Sequence, residues 1–162
     1  MTDLTATAAR SVSHGMFTIE RTYPSVTPRR VFDAFATEAG KDAWFSGPDE
    51  RWDIVEREFD FRVGGREQLK GKWKTGMVTH FQATYWDIVP GERIVYAYSM
   101  HLDDRMISVS LATFEFKPAG AGAGAKLVMT EQGAFLDGYD DSGSRERGSR
   151  ELIDKLSRYL EG

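Results

Sequence analysis

The stretch SRERGSRELIDKLSRYL, residues 144–160, decides the fold of this chain. Its apolar residues recur at i, i+1, i+4, i+7 and i+8, a spacing that lines one side of an α-helix. This apolar stripe consists of Leu152, Ile153, Leu156, Tyr159 and Leu160. Arginines, including Arg145, Arg147 and Arg150, alternate with acidic residues and are predicted to form a solvated face. The stripe itself must be buried against another layer of the protein.

The chain before this helix is predicted to be mostly β-structure. Alternating apolar and polar residues over 17–23 predict an early strand. Six longer β-type runs follow, bounded by glycine, proline and aspartate turns. They are Trp52–Arg62, Arg66–Trp73, Met77–Val89, Glu92–His101, Met106–Lys117 and Lys126–Phe135. We interpret the segment AGAGAGA at 119–125 as a hairpin loop, because a phosphate-binding loop would be followed by a helix.

Two short helices are predicted between the first two strands. Thr27 and Pro28 are the residue types that cap and begin a helix. Gly40 is predicted to end this helix, and a second helical turn is predicted from Lys41 to Phe45. We expect Trp44 and Phe45 on this second turn to pack at the mouth of a cavity.

The order of the elements is typical of an α+β domain whose helices lie on one face of the sheet. We predict a curved antiparallel sheet of about seven strands that wraps around the long C-terminal helix. A cavity between sheet and helix would hold a small apolar molecule, and such cavities measure about 300–1,000 Å³. We expect one domain over residues 17–162 after a disordered leader at 1–16, with Met16 as an alternative start.

Composition excludes several kinds of site and partner. The chain has no cysteine, which excludes disulfides, thiolate metal ligands and thiol nucleophiles. Its three histidines, His14, His80 and His101, lack the spacing of metal ligands, so neither a metal nor a cofactor is expected. A net charge of −4 argues against a nucleic-acid partner. No apolar segment reaches the length of a membrane span, and we expect a cytoplasmic protein.

Five segments resemble, in order and separation, the homologues of the heat-shock protein 90 ATPase activator. They are Trp44–Pro48, Asp60–Gly65, Tyr85–Tyr96, Leu111–Phe116 and Thr130–Phe135. The resemblance extends over residues 17–160. That family belongs to the START-like superfamily, which also contains the polyketide cyclase/dehydrase and birch-pollen-allergen-like proteins. The resemblance implies a helix-grip fold, in agreement with the arrangement that the apolar stripe predicts.

The chain departs from the pattern of this family at two positions. Val63 stands where the Arg-Pro-Gly-Gly turn of the family usually has proline. Ser149 stands where many relatives have a Gly-Trp pair as they enter the last helix. The resemblance implies little about a reaction, because one fold hosts many unrelated functions.

Strand and helix periodicity predict which side chains face the cavity. On β-type runs, residues such as Tyr96, Tyr98 and Met100 share one face, and large aromatic and sulfur-bearing groups suit a flat apolar ligand. The complete set of candidates is Trp44, Phe45, Ile94, Tyr96, Tyr98, Met100, His101, Met129, Glu131, Phe135, Leu152 and Leu156. The alternative is that these residues are core beneath the helix, and the two interpretations overlap.

Glu131 is the candidate for catalysis. It shares the inward face of its strand with Met129, and burial there would raise the pKa of its carboxyl. Beside His101 or Tyr98, such a group could act as a general acid or base. The alternative that we favour is a structural carboxylate at the rim of the sheet, paired with an arginine such as Arg105.

The sequence therefore predicts a soluble protein that binds one small hydrophobic molecule, without established catalysis. The first alternative is an enzyme of the cyclase or dehydratase type that uses Glu131 as a general acid or base. The second alternative is an interaction protein associated with a chaperone, as the family name suggests. A homodimer is left open.

Overall fold

A computed structural model describes residues 9–48, 50–120 and 122–162. Its strands are β1 (Val12–Tyr23), β2 (Trp52–Phe59), β3 (Arg66–Trp73), β4 (Val78–Val89), β5 (Arg93–Leu102), β6 (Arg105–Pro118) and β7 (Ala125–Leu136). Its helices are α1 (Pro28–Ala36), α2 (Glu38–Asp42) and α3 (Ser142–Glu161). The order of elements is the predicted one, and the α+β class is confirmed.

The strands form a seven-stranded antiparallel sheet in the order β1-β7-β6-β5-β4-β3-β2. The first strand pairs with the last, so that Phe17 lies opposite Glu131. The pairing register shifts in three strand pairs, β2–β3, β4–β5 and β5–β6, for example between Met100 and His101 of the last pair. Such irregularities bend and twist a sheet, and they accompany the curvature that lets this one wrap around α3.

Helix α3 buries most of the predicted stripe. Ile153 and Leu156 are fully buried, while Leu152 and Leu160 are partly buried against the core. The prediction was wrong for Tyr159, which is 38% exposed. This side chain lies at the edge of the stripe. None of the described helices combines the length and the apolarity needed to cross a bilayer.

Strand β1 begins earlier than predicted. Residues 12–16 were expected in a disordered leader, but Val12 pairs with Leu136 and Met16 pairs with Gln132. These backbone hydrogen bonds to β7 explain the order of the segment. Residues 1–8 of the predicted leader lie outside the described residues.

The boundary between the two short helices also differs from the prediction. The chain is extended at Thr37, whose hydroxyl oxygen caps α2 by accepting a hydrogen bond from the Gly40 amide at 3.1 Å. Gly40 therefore lies inside α2, and Thr37 separates the helices. Because α2 ends at Asp42, Trp44 and Phe45 lie after the helix and not on it.

Two glycines make room for the indole of Trp52, which begins β2 and is 7% exposed. A Cβ atom on Gly71 would lie 2.0 Å from Cε2 and Nε1 of this indole. A Cβ atom on Gly47 would lie 2.6 Å from its Cγ. Real Cβ atoms do not approach ring atoms so closely, so Trp52 can keep this position only against residues without a side chain.

We expect Gly71→Ala to lower the free energy of unfolding by about 1–3 kcal/mol, the usual cost of overpacking a core. Gly148→Ala is the matched control, because a Cβ atom there meets no atom within 4 Å. Within α3 this control should instead raise stability by up to about 1 kcal/mol. Urea unfolding of the three proteins measures both effects. Equal stability of Gly71→Ala and wild type would contradict the close packing of Trp52.

Candidate functional site

A cavity of about 240 Å³ lies between the N-terminal half of α3 and the concave face of the sheet. Eight of the predicted residues line it, and they come from the α2–β2 segment, two strands and the helix. They are Trp44, Phe45, Tyr96, Tyr98, Met100, Met129, Glu131 and Leu152. Six further residues line the cavity and were not predicted to do so from the sequence. These are Phe81, Phe114, Arg145, Gly148, Ser149 and Ile153.

The cavity is smaller than the range expected from the sequence because aromatic rings fill much of the concave face. The ring of Phe81 lies 4.9 Å from that of Phe45 and 4.9 Å from that of Tyr98. Tyr96 and Phe114 lie 5.4 Å apart, measured between ring centroids. The wall is therefore a nearly continuous aromatic surface, which suits a flat apolar ligand.

Three predicted lining residues lie in solid core instead. Ile94 shares the inward face of β5 and is fully buried, but it does not line the cavity. Leu156 is one helical turn past Leu152 and fully buried. The ring of Phe135 lies beneath the guanidinium of Arg145, with its centroid 5.3 Å from Cζ, and does not line the cavity.

His101 belongs to the opposite face of the sheet. It follows Met100, which lines the cavity, and the register shift falls between these two residues. His101 lies opposite His80 of the neighbouring strand β4, and the centroids of the two rings are 6.4 Å apart. Its position therefore does not support the predicted role beside Glu131.

The polar end of the cavity is organised around Arg145, which lies on the first turn of α3. Its guanidinium donates hydrogen bonds to the Tyr98 hydroxyl at 2.8 Å, to Ser108 Oγ at 2.7 Å and to Asp140 Oδ2 at 3.0 Å. Its Nη1 also lies 3.5 Å from Glu131 Oε2. We refer to Tyr98, Ser108, Ser110, Glu131, Asp140 and Arg145 as the Arg145 cluster.

The prediction that Arg145 belongs to a solvated face was wrong. Its side chain is only 10% exposed. Neighbouring Tyr98 and Glu131 raise the pKa of Arg145 despite its burial, so the guanidinium stays charged inside the protein. The helix spacing contained the signal, because Arg145, Ser149, Leu152 and Leu156 follow one another at intervals of three or four residues.

Glu131 lies inside the protein and not at the rim, and its side chain is 1% exposed. Its partner is Arg145 rather than the expected Arg105. Tyr98 donates a hydrogen bond to Oε2 at 2.8 Å. Burial raises the pKa of the Glu131 carboxyl above its ordinary value of 4.5, and this effect exceeds the lowering by Arg145 and Tyr98.

The second oxygen of Glu131 is not satisfied in the same way. Oε1 is buried and has no hydrogen-bond partner within the described part of the chain. The Ser110 hydroxyl contributes to lowering the pKa of the carboxyl but does not meet Oε1 with hydrogen-bond geometry. An unpaired buried acceptor is costly, and this one belongs to a residue that lines the cavity.

A second set of buried charged groups, centred on Glu67, lies behind the aromatic wall and was not predicted from the sequence. Glu67 Oε1 accepts hydrogen bonds from Lys41 Nζ at 2.9 Å and from the Tyr85 hydroxyl. Arg57 Nη1 donates to Oε2 at 2.9 Å. The ammonium of Lys41 also lies 4.4 Å from the ring centroid of Phe45, which lines the cavity.

The two members of this buried pair titrate differently from free side chains. Burial lowers the pKa of the Lys41 ammonium, with Glu67 acting in the opposite direction. Burial also raises the pKa of Glu67, but Lys41, Tyr85 and Arg57 together bring it below its ordinary value. The hydrogen bonds from Lys41, Tyr85 and Arg57 satisfy both oxygens of Glu67. The pair supports the aromatic wall without lining the cavity.

The mouth of the cavity lies beside α3. Gly148 lines the cavity and is exposed to solvent. Nearby, Lys155 Nζ donates to the carbonyl oxygen of Ser46 at 3.0 Å and to its Oγ at 2.8 Å, which joins α3 to the segment after α2. A second pocket of about 190 Å³ shares Phe45, Phe81, Met100 and Leu152 with the cavity. Among the described residues, no three His, Asp or Glu side chains converge as metal ligands.

Comparison with known proteins shows the family and supports the fold. Residues 25–161 match the model of the family described as Activator of Hsp90 ATPase homolog 1-like protein. The chain belongs to this family. No curated protein matches the chain at a significant level. The resemblance and the helix-grip fold that the sequence analysis gave for residues 17–160 are thus confirmed.

Solved structures of similar proteins cover almost the whole chain. A protein of Rhizobium loti is 44% identical, covers 93% of this chain and 99% of its own length, and has a TM-score of 0.84. An uncharacterised protein of Rhizobium leguminosarum is 39% identical, covers 94% of this chain and 98% of its own length, and has a TM-score of 0.86. An AHSA1-like protein of Aeromonas hydrophila shares the fold, with a TM-score of 0.62. It is 18% identical and covers 91% of this chain and 92% of its own length.

The raised pKa of Glu131 predicts a pH dependence for this member of the Activator of Hsp90 ATPase homolog 1-like family. The folded protein binds the Glu131 proton more tightly than the unfolded chain, so this carboxyl makes stability fall as pH rises above 4.5. Glu131→Gln removes that effect. We expect the unfolding free energy of Glu131→Gln, minus that of wild type, to increase with pH until the folded-state pKa is passed. Urea titrations at several pH values measure this difference, and a decrease with pH would contradict the raised pKa.

Proposed function

We propose that this member of the Activator of Hsp90 ATPase homolog 1-like family binds one small, mostly apolar molecule in the cavity beneath α3. The observation that carries the proposal is an aromatic cavity with a single polar end, opening to solvent at Gly148. Ligand sites commonly combine an apolar wall with a few placed polar groups. We base the proposal on this cavity rather than on the family name, since fold alone does not define function.

The volume limits the size of the molecule. An engineered apolar cavity of about 150 Å³ binds benzene. The cavity here has about 240 Å³, which suits a molecule of one or two fused rings. The flat walls formed by Tyr96, Phe81 and Phe114 favour a planar ring system over a branched one.

Titration with 2-methylnaphthalene tests the proposal. We expect saturable binding of one molecule per chain, because the methyl-substituted ring system matches the cavity in size and polarity. Isothermal titration calorimetry gives the stoichiometry, and methyl NMR signals of Met100 and Met129 report on the location, since both side chains line the cavity. Absence of saturable binding, or binding that leaves both methyl signals unchanged, would contradict the proposed site.

A pair of variants on α3 tests whether the cavity opens to solvent at Gly148. Gly148→Trp places a large ring where a Cβ atom meets nothing within 4 Å, and we expect it to weaken 2-methylnaphthalene binding by about tenfold or more. Arg147→Trp is the matched control, because its neighbouring position is exposed and does not line the cavity. Equal weakening by both variants would contradict a mouth at Gly148.

Acid–base chemistry on the bound molecule is a second candidate function, favoured by one observation. Glu131 combines a raised pKa with an unpaired oxygen and lines the cavity. Tyr98, which the sequence suggested as a neighbour, and Arg145, which it did not, hold the other oxygen. Such a carboxylate can remove a proton from the carbon beside a carbonyl group.

Hydrogen–deuterium exchange of 2-tetralone in D₂O tests this second candidate. The carboxylate would take the α-proton as the C–H electrons move into the enolate. The carboxyl group would exchange this proton for a deuteron from D₂O, and transfer of the deuteron to the enolate carbon would form the C–D bond. We expect Glu131→Gln to lower any exchange catalysed by the wild type by about a hundredfold, the usual contribution of a general base. Wild-type exchange no faster than in buffer would exclude this chemistry for the ketone and leave the binding function.

A further inference from the structure

We infer that the molecule bound in the cavity carries a hydrogen-bond donor, a hydroxyl or an amine, which it gives to Oε1 of Glu131. This inference rests on the proposed binding function and defines the class of ligand. It specifies a planar molecule of one or two rings with one donor at its edge, oriented towards the Arg145 cluster.

The two oxygens of Glu131 have different surroundings. Oε2 accepts the Tyr98 hydroxyl at 2.8 Å and lies 3.5 Å from Arg145 Nη1. Oε1 is buried and has no hydrogen-bond partner in the described part of the chain, while Glu131 itself lines the cavity. A carboxylate has acceptor sites on both oxygens. Oε1 is thus the acceptor that remains for a bound molecule.

Arg145 has little hydrogen-bonding capacity left for an anionic ligand. Its guanidinium already donates to Tyr98, Ser108 and Asp140. Two carboxylates, Glu131 and Asp140, lie beside this one cation. A ligand carboxylate would therefore meet more negative than positive charge, whereas a donor would meet an unpaired acceptor.

Glu131→Gln would change the hydrogen-bonding group that the cavity presents to the ligand. Tyr98 and Arg145 both approach the Oε2 position as donors, so the amide oxygen of glutamine would take that position. The amide nitrogen would then stand at Oε1, and an acceptor would become a donor. The variant therefore reverses the hydrogen-bonding character at the cavity while keeping the shape of the side chain.

Three naphthalenes of similar shape test the inference on the wild-type protein. They are 2-naphthol, with a donor, 2-methylnaphthalene, with none, and 2-naphthoate, which is an anion. We expect 2-naphthol to bind about tenfold or more tightly than 2-methylnaphthalene, the effect of a hydrogen bond to a charged group. We expect 2-naphthoate to bind more weakly than either. Calorimetry at neutral pH gives the three dissociation constants.

The variant adds a second readout. In Glu131→Gln, 2-naphthol should lose its advantage and bind within about twofold of 2-methylnaphthalene, whose own affinity should not change. Glu146→Gln is the matched control, because its carboxylate pairs with Arg150 on the solvent side of α3. This control should leave all three affinities as in the wild type. The wild-type comparison stands by itself if the Glu131 variant does not fold.

The outcomes separate this inference from the proposed function. If 2-methylnaphthalene binds at one per chain but 2-naphthol binds no better, the cavity binds apolar molecules and the donor inference is overturned. If 2-naphthoate binds most tightly, Arg145 is the recognition group and the inference is also overturned. If none of the three binds, the proposed function itself fails. An unchanged preference for 2-naphthol in Glu131→Gln would place the donor elsewhere and overturn the assignment to Oε1.

Discussion

The position of α3 depends on the burial of one guanidinium. Arg145 enters the protein at the start of the helix and meets groups from β5, β6, β7 and the loop before α3. An unpaired buried charge would be strongly destabilising, so the helix can lie only where these partners surround the side chain. A second fixed point lies ten residues further along α3, where Lys155 bonds to Ser46. The helix is thus held at both ends of the cavity.

The cavity exists because of the side chains that α3 carries between these points. Gly148 and Ser149 are the smallest residues on its lining face, and they lie between the long Arg145 and the larger Leu152. The helix cannot move closer to the sheet to close the gap, since Arg145 already fills the space at one end and Ile153 is fully buried at the other. On the sheet side, the buried Lys41–Glu67 pair lies behind the aromatic wall. The space is therefore a consequence of residue size along one helical face.

Regular periodicity explains how much could be predicted from the sequence. The order of the elements along the chain, the α+β class and the inward face of β5 follow from periodicity. Strand alternation placed Tyr96, Tyr98, Met100, Met129 and Glu131 at the cavity, and helix periodicity placed Leu152 there. Charged residues on apolar faces were missed, because charge was taken as a sign of exposure. Arg145 continues the buried face of α3 by one turn, and Glu67 shares the buried face of β3 with Leu69. A partner 47 residues away in sequence, as Tyr98 is for Arg145, is not visible to a local pattern. His101 was misplaced because it directly follows Met100, which faces the cavity, and alternation puts it on the opposite face of the sheet.

The two buried carboxylates of this protein show the difference between support and recognition. Both lie on inward faces of strands, and burial acts to raise the pKa of each. Glu67 receives donors on both oxygens, from Lys41, Tyr85 and Arg57, and its pKa falls below the ordinary value. Glu131 receives hydrogen-bond donors on one oxygen only, and its pKa remains above the ordinary value. The same fold can thus satisfy a buried carboxylate completely, so incomplete satisfaction at Glu131 is a local property of the cavity. A donor supplied by a bound molecule would give Glu131 the environment that Glu67 already has from the chain itself, and its pKa would fall in the same direction.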